Sequence, residues 1–194
     1  MWGFYAMLSK MKYINRWALM RNTREENLSE HSYEVSVITH CLGMIGQKRF
    51  GRKLDLDKMV LYSLYHDVSE IITGDMPTPV KYLNEEIQLA YKNVETVAIN
   101  NLLEMLPDDF KDDYKNIFFY EDIGDYEKRI IKAADRFSAL IKCIEEEKVG
   151  NMEFLDAGIS IEKSINDMKL DEAKVFMEEF LPPFRGTIDK LAKK

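Results

Sequence analysis

With 194 residues the chain has the length of one domain able to bury roughly 70% of the surface its unfolded form exposes, and residues 1–194 are read as a single domain. A net charge of −7 argues against a polyanion partner, because extended nucleic acid needs a basic track, yet it leaves room for a small anionic substrate held by one local arginine. Apolar residues at 46% and charged residues at 31% are ordinary for a soluble protein, and no run approaches the roughly 20 apolar residues of a membrane span. Cys41 and Cys143 each sit in a helical apolar pattern and are expected as buried free thiols of a reducing cytoplasm. The hydrophobic N-terminus has no basic leader and no small-residue cleavage site, so a docked helix is expected there.

Taken in order, Met7, Leu8, Met11, Ile14 and Trp17 recur at helical spacing and predict a first helix over 5–17. Arg16, Arg21 and Arg24 follow as a local basic excess, either a solvated turn or a grip for a phosphate. Residues 29–47 carry an apolar face of Tyr33, Val37, Ile38, Cys41, Leu42, Met44 and Ile45, with Asn27 or Ser29 as cap. His31 falls in the first turn of that helix; His40 falls mid-helix and is read as structural, on a core face. After a polar turn over 49–53, Asp55 caps a helix running through Leu64 and Tyr65 and ending near His66-Asp67. Adjacent helical side chains diverge by about 100°, so both can reach one ion most easily where the helix ends or bends. Glu70 shares their face if one more turn follows.

Pro77 and Pro79 predict a stiff loop over 73–81 in place of regular helix. There Asp75 and Thr78 offer an acceptor and a hydroxyl to a ligand, or serve turn chemistry alone. Residues 84–106 read as a long amphipathic helix with Ile87, Ala90, Tyr91, Val94, Val97, Ala98, Leu102 and Leu106 on its inner side, available for packing and subunit contacts. A short helix and a loop are expected over 108–124, and Asp125 then caps a helix to Val149. Its core stripe is Ile130, Ile131, Ala134, Phe137, Ile141 and Ile144. Asp135 lies beside that stripe, where a buried carboxylate calls for a metal or a salt-bridge partner. Gly150 closes the helix and Asn151 caps the next. Helices over 154–168 and 171–181 follow, then Pro182-Pro183 and a last helical piece over 187–192. Strand signals are nearly absent, so the fold class is all-α, a bundle of irregular crossing angles.

His31, His66, Asp67 and Asp135 together make a mixed nitrogen and oxygen donor set suited to one divalent transition metal: Co, Mn, Fe, Ni or Zn. Such an ion favours phosphate-ester hydrolysis over redox work. With three histidines in the chain, a second ion would lack nitrogen ligands.

The ordered set His31, His66-Asp67, Asp135 resembles the HD-domain metal-dependent phosphohydrolase superfamily. More narrowly, Ile14-Asn15-Arg16-Trp17, Met20-Arg21-Asn22, Ser29-Glu30-His31-Ser32, Tyr65-His66-Asp67-Val68-Ser69-Glu70 and the stretch from Thr73 to Tyr82 resemble the bacterial 5'-deoxyribonucleotidases of the YfbR type. The resemblance runs over nearly the whole chain, with Met76 in the place of a similar apolar residue. It implies an irregular HD-type helical bundle, a homodimer, and hydrolysis of deoxyribonucleoside 5'-monophosphates; cysteine usage, net charge and the lack of a long apolar run add the expectation of a cytoplasmic protein with no nucleic-acid polymer and no membrane as partner. It assigns His31, His66, Asp67 and Asp135 to the ion, and catalytic roles to Arg16, Asp67 and Glu70, with Glu70 acting on proton transfer around the attacking water. Substrate contacts would come from Arg16, Trp17, His31, Asp67, Asp75, Met76, Pro77, Thr78 and Asp135, with Arg16 on the phosphate and Trp17 against the sugar 2' position. The alternatives are a nucleotide pyrophosphatase or triphosphohydrolase of the same superfamily, a non-catalytic metal-dependent nucleotide sensor, and a purely structural helical protein.

Overall fold

The computed structural model describes residues 1–81 and 83–187, and of Thr78 the backbone alone. In chain order the helices are α1 (Phe4–Leu8), α2 (Leu28–Phe50), α3 (Leu56–Leu64), α4 (Glu70–Thr73), α5 (Thr78–Lys81), α6 (Glu85–Leu103), α7 (Asp108–Phe119), α8 (Asp125–Lys148), α9 (Leu155–Asp167) and α10 (Asp171–Val175). Among the described residues no strand forms, and the extended pairing present is an isolated antiparallel bridge between Asn15 and Asn27. The all-α expectation holds. The helical piece expected over 187–192 lies outside the described residues apart from Thr187.

The chain divides into two compact units, each assembled from three segments. The first comprises Met1–Arg21, Glu25–Tyr33 and Leu64–Asp122; the second comprises Asn22–Arg24, Glu34–Ser63 and the chain from Ile123 on.

The first unit is built on a buried cluster of Phe4, Val68, Leu102, Leu103, Leu106 and Phe118, with Tyr65, Ile71 and Tyr114 packed against it. Edge-to-face aromatic contacts, Phe4 on Tyr114 at 5.0 Å and Tyr114 on Phe118 at 5.6 Å, give it directional packing. Tyr65 and Val68 flank His66-Asp67, so the same core that closes the unit also anchors the turn carrying the two polar side chains. The first helix is shorter than expected. It stops at Leu8, a 3-10 stretch Ser9–Tyr13 follows, and Ile14 is extended. The chain from Ile14 instead pairs with the residues before α2, through Arg16 N–H to Glu26 O at 2.9 Å and Leu28 N–H to Ile14 O at 2.9 Å. Asn27 caps α2 by accepting from Ser29 and Glu30 N–H, and Glu30 reaches back to Asn27 N–H, a reciprocal capping box.

The loop expected over 73–81 is half correct. Gly74, at φ +72, ends α4 and leads into a non-helical run through Pro77. Thr78-Pro79-Val80-Lys81 then forms a helical turn, because a proline in a first turn lacks only a donor that has no partner there anyway. Asn84 caps α6 through Ile87 N–H. The helix buries Tyr91, Ala98, Leu102 and Leu103, but Ala90, Val94 and Val97, expected inside, are exposed.

In the second unit α8 presents the expected stripe, with Ile130, Ile131, Ala134, Phe137, Ile141 and Ile144 all buried, and Phe137 meets Phe176 at 4.5 Å. Its N-cap is Gly124 and not Asp125, and the Gly124 N–H donates to the Glu127 carboxylate. Asp55 caps α3 through Lys58 N–H as expected. Helix α2 runs on to Phe50 and leaves Tyr33 and Val37 exposed, and His40 is exposed too, not on a core face. The helix expected over 171–181 changes to a π-turn at Phe176–Phe180. Cys143 is buried and Cys41 half-buried, and neither is in a disulfide. No described helix is long and apolar enough to cross a membrane.

Candidate metal centre

Helix α3 ends at Leu64, and the backbone over 65–72 winds through i to i+3 hydrogen bonds, among them Val68 N–H to Tyr65 O and Glu70 N–H to Asp67 O. That tighter winding lets His66 and Asp67 meet, with His66 Nε2 lying 3.0 Å from Asp67 Oδ2. His31, in the first turn of α2 and fully buried, brings its Nε2 to 3.5 Å from the same oxygen. The His31 and His66 rings are 5.1 Å apart and inclined at 56°.

One ligand atom from each of His31, His66 and Asp67 lies within 4.8 Å of the others. Nitrogen and oxygen ligands about 2.1 Å from a common ion are separated by about 3.0–3.4 Å in octahedral or tetrahedral geometry. The two imidazole-to-carboxylate distances are of that size, so these residues fit a divalent transition metal. Burial pushes the Asp67 carboxyl up, but the facing His66 and His31 imidazoles outweigh it and hold the group well below the usual carboxylate range.

Of the expected substrate residues, Arg16, Trp17, Asp75, Met76, Pro77 and Thr78 belong to the same unit as this trio. Arg16 Nη1 lies 3.5 Å from Asp67 Oδ2, and Arg16 Nε lies 3.9 Å from Glu26 Oε1. Trp17 adopts φ +61, an unusual conformation for a bulky residue, and its indole Nε1–H donates to Glu26 Oε2 at 2.7 Å. Glu26 also faces His31 Nδ1 at 3.7 Å. No signal in the sequence marked Glu26 as part of the site; its role follows from the pairing of Asn15 with Asn27.

Glu70 opens α4 and is buried, and its Oε2 has no hydrogen-bond partner among the described residues. Burial, then the charges of Asp67 and Asp75, push its carboxyl up to about 9 against the pull of Arg16 and Lys81. Asp75, Met76 and Pro77 are half-buried in the non-helical run after Gly74, and Thr78 begins α5. Lys81 donates to Glu95 at 2.8 Å and lies over the Tyr91 ring. Asp135 belongs to the second unit, on α8, where Lys132 Nζ approaches its Oδ2 to 2.6 Å.

A family model described as 5'-deoxynucleotidase YfbR-like matches residues 3–184. A 5'-deoxynucleotidase from Erwinia tasmaniensis is 42% identical over 191 residues, covering 98% of this chain and 96% of its own. The 5'-deoxynucleotidase YfbR of Escherichia coli is 40% identical over 190 residues, with coverage of 98% and 96%. Among solved structures, an HD-domain phosphohydrolase from Listeria innocua superposes with a TM-score of 0.82 at 26% identity, covering 98% of this chain and 89% of that one. The cyanophage S-2L HD phosphohydrolase DatZ, solved with dA and one catalytic Zn2+ ion, shares the fold at a TM-score of 0.69 and 20% identity over 94% of this chain and 96% of that one. With a helical architecture of the HD-domain phosphohydrolase type and a family match over almost its whole length, the chain belongs to the YfbR-like 5'-deoxynucleotidase family.

Proposed function

We propose that the chain is a metal-dependent phosphoric monoester hydrolase that converts deoxyribonucleoside 5'-monophosphates and water to deoxynucleosides and phosphate. The observation that carries this is the approach of His31 and His66 Nε2 to one Asp67 oxygen, with the Arg16 guanidinium at its edge. A divalent cation held by His31, His66 and Asp67 would supply Lewis acidity toward the phosphoryl group and toward water. Asp135 joins the ligand set in this reading on the family resemblance. Arg16, a planar fork steadied by two carboxylates, orients phosphate oxygens. Glu70 Oε2 moves the proton: hydrolysis takes one from the attacking water and delivers one to the departing 5' oxygen, and a bound cation would offset the charges of Asp67 and Asp75 that push this carboxyl up, leaving it able to accept the first proton and return the second. Trp17 forms a wall against the sugar 2' position, and Asp75, Met76, Pro77 and Thr78 line the nucleotide site.

Phosphate release from dAMP and AMP with Mn2+ or Co2+ tests the reading. Faster turnover of dAMP is expected. Equal rates on both would remove the sugar preference, and no phosphate from either would remove the hydrolase.

The same proposal keeps residues 1–194 as one domain, since each compact unit is assembled from three chain segments. It keeps the cytoplasm, in accord with two cysteines outside any disulfide, and the homodimer, for which Leu89, Val94 and Val97 of α6, at 64%, 51% and 58% exposure, offer apolar surface.

A further inference from the structure

We propose that Glu26 is a positioning residue that couples the metal-holding half of the site to the sugar-facing half. Its two carboxylate oxygens divide between them. Oε2 takes the Trp17 indole N–H at 2.7 Å, while Oε1 faces His31 Nδ1 at 3.7 Å and Arg16 Nε at 3.9 Å. On the His31 side, a carboxylate beside Nδ1 keeps the ring proton there and leaves the Nε2 lone pair directed toward Asp67, the tautomer a metal ligand requires. On the Trp17 side, the indole hydrogen bond secures a backbone at φ +61, a conformation that a bulky residue holds only when its surroundings impose it.

The backbone makes this geometry possible. Arg16 N–H donates to Glu26 O at 2.9 Å, so residues 16 and 17 run beside Glu26, and His31 N–H bonds Asn27 O one helical turn further on. With its side chain only 12% exposed, Glu26 is within reach of all three groups. Glutamine in its place keeps the shape, but its single carbonyl oxygen can serve one side only, and its amide donors then oppose the N–H groups of the other. Alanine serves neither side.

The inference rests on the proposed metal-dependent reading for its His31 half, and the test separates the two. E26Q and E26A are compared with the parent in a W2F background, which leaves Trp17 as the single indole. Three quantities are read: Trp17 fluorescence without metal, Co2+ affinity from visible absorption, and the dAMP to AMP ratio of kcat/KM. The expected result for E26A is a red-shifted Trp17 emission, Co2+ binding weakened by about 10- to 100-fold, and a smaller sugar ratio. E26Q, which should fold as the parent does, is expected to lose on at least one side. Emission and Co2+ affinity both within twofold of the parent in E26Q and E26A would overturn the coupling. A parent that binds no Co2+ would instead refute the metal reading, while the emission shift would still report on the Glu26 to Trp17 bond.

Discussion

At the scale of single residues, two carboxyls of the site are pushed in opposite directions, Asp67 down by the facing imidazoles and Glu70 up by burial. Glu70 is the clearest case. Its carboxyl is raised to about 9 by burial and by Asp67 and Asp75, so the folded protein binds a proton that the unfolded chain releases near the ordinary glutamate value. Below pH 4.5 both states are protonated and Glu70 costs nothing; as pH rises toward 9 the folded state loses ground. Chelator-treated E70Q is therefore expected to be more stable than the parent, by a gap of order a few kcal/mol that is near zero at pH 4.5 and grows through pH 8. The same variant should turn over dAMP far more slowly. A gap that does not change with pH would mean that the carboxyl is not held protonated by its surroundings. Glu70 was legible in the sequence through its spacing from His66 and Asp67, whereas Glu26 was not: its importance comes from a bridge between Asn15 and Asn27 that hydrophobic periodicity cannot register.

At the scale of elements, periodicity marked the helices where both faces of the decision agreed and misled where they did not. The α8 stripe is buried at every expected position because apolar spacing and tertiary packing coincide there. Over 5–17 the same spacing suggested a longer helix, but the hydrogen bonds from Arg16 N–H to Glu26 O and from Leu28 N–H to Ile14 O win over local propensity. Val94 and Val97 satisfy the helical period and yet remain exposed, since a pattern records which residues are apolar and not what covers them. Buried polar contacts are equally silent in a sequence. In the second unit, Glu146 of α8 is only 1% exposed and accepts from Thr23 N–H at 3.0 Å, Thr23 Oγ1 at 2.7 Å and Asn151 Nδ2 at 2.8 Å, with Lys142 beside it. Burial alone would raise its pKa, but hydrogen bonds from Lys142, Asn151 and Thr23 bring it down to about 2. Its stabilising contribution is thus full above about pH 4.5 and is lost as pH falls toward 2. Chemical denaturation of E146Q against the parent should give a deficit of about 1–3 kcal/mol at pH 7 that shrinks steadily on acidification. A deficit independent of pH would locate the effect in packing.

At the scale of the whole molecule, stability and function are linked through the cation. A ligand that binds only the folded state stabilises it by about 2.7 kcal/mol at a hundredfold excess over its dissociation constant. For a chain of this length about 1 kcal/mol moves the melting temperature by about 2–4 °C, so saturating Co2+ should raise it by roughly 5–10 °C. The three histidines make an internal control. His31 and His66 lie against Asp67, whereas His40 is exposed on α2. H40A should keep the full shift, and H31A and D67A should lose it. D135A carries the part of the ligand set that rests on resemblance: loss of the shift there places Asp135 on the ion, and a full shift removes it. An equal rise in H31A and D67A would mean that Co2+ stabilises the protein from elsewhere, and the hydrolase would then have to work without the cluster of two imidazoles and a carboxylate that His31, His66 and Asp67 form.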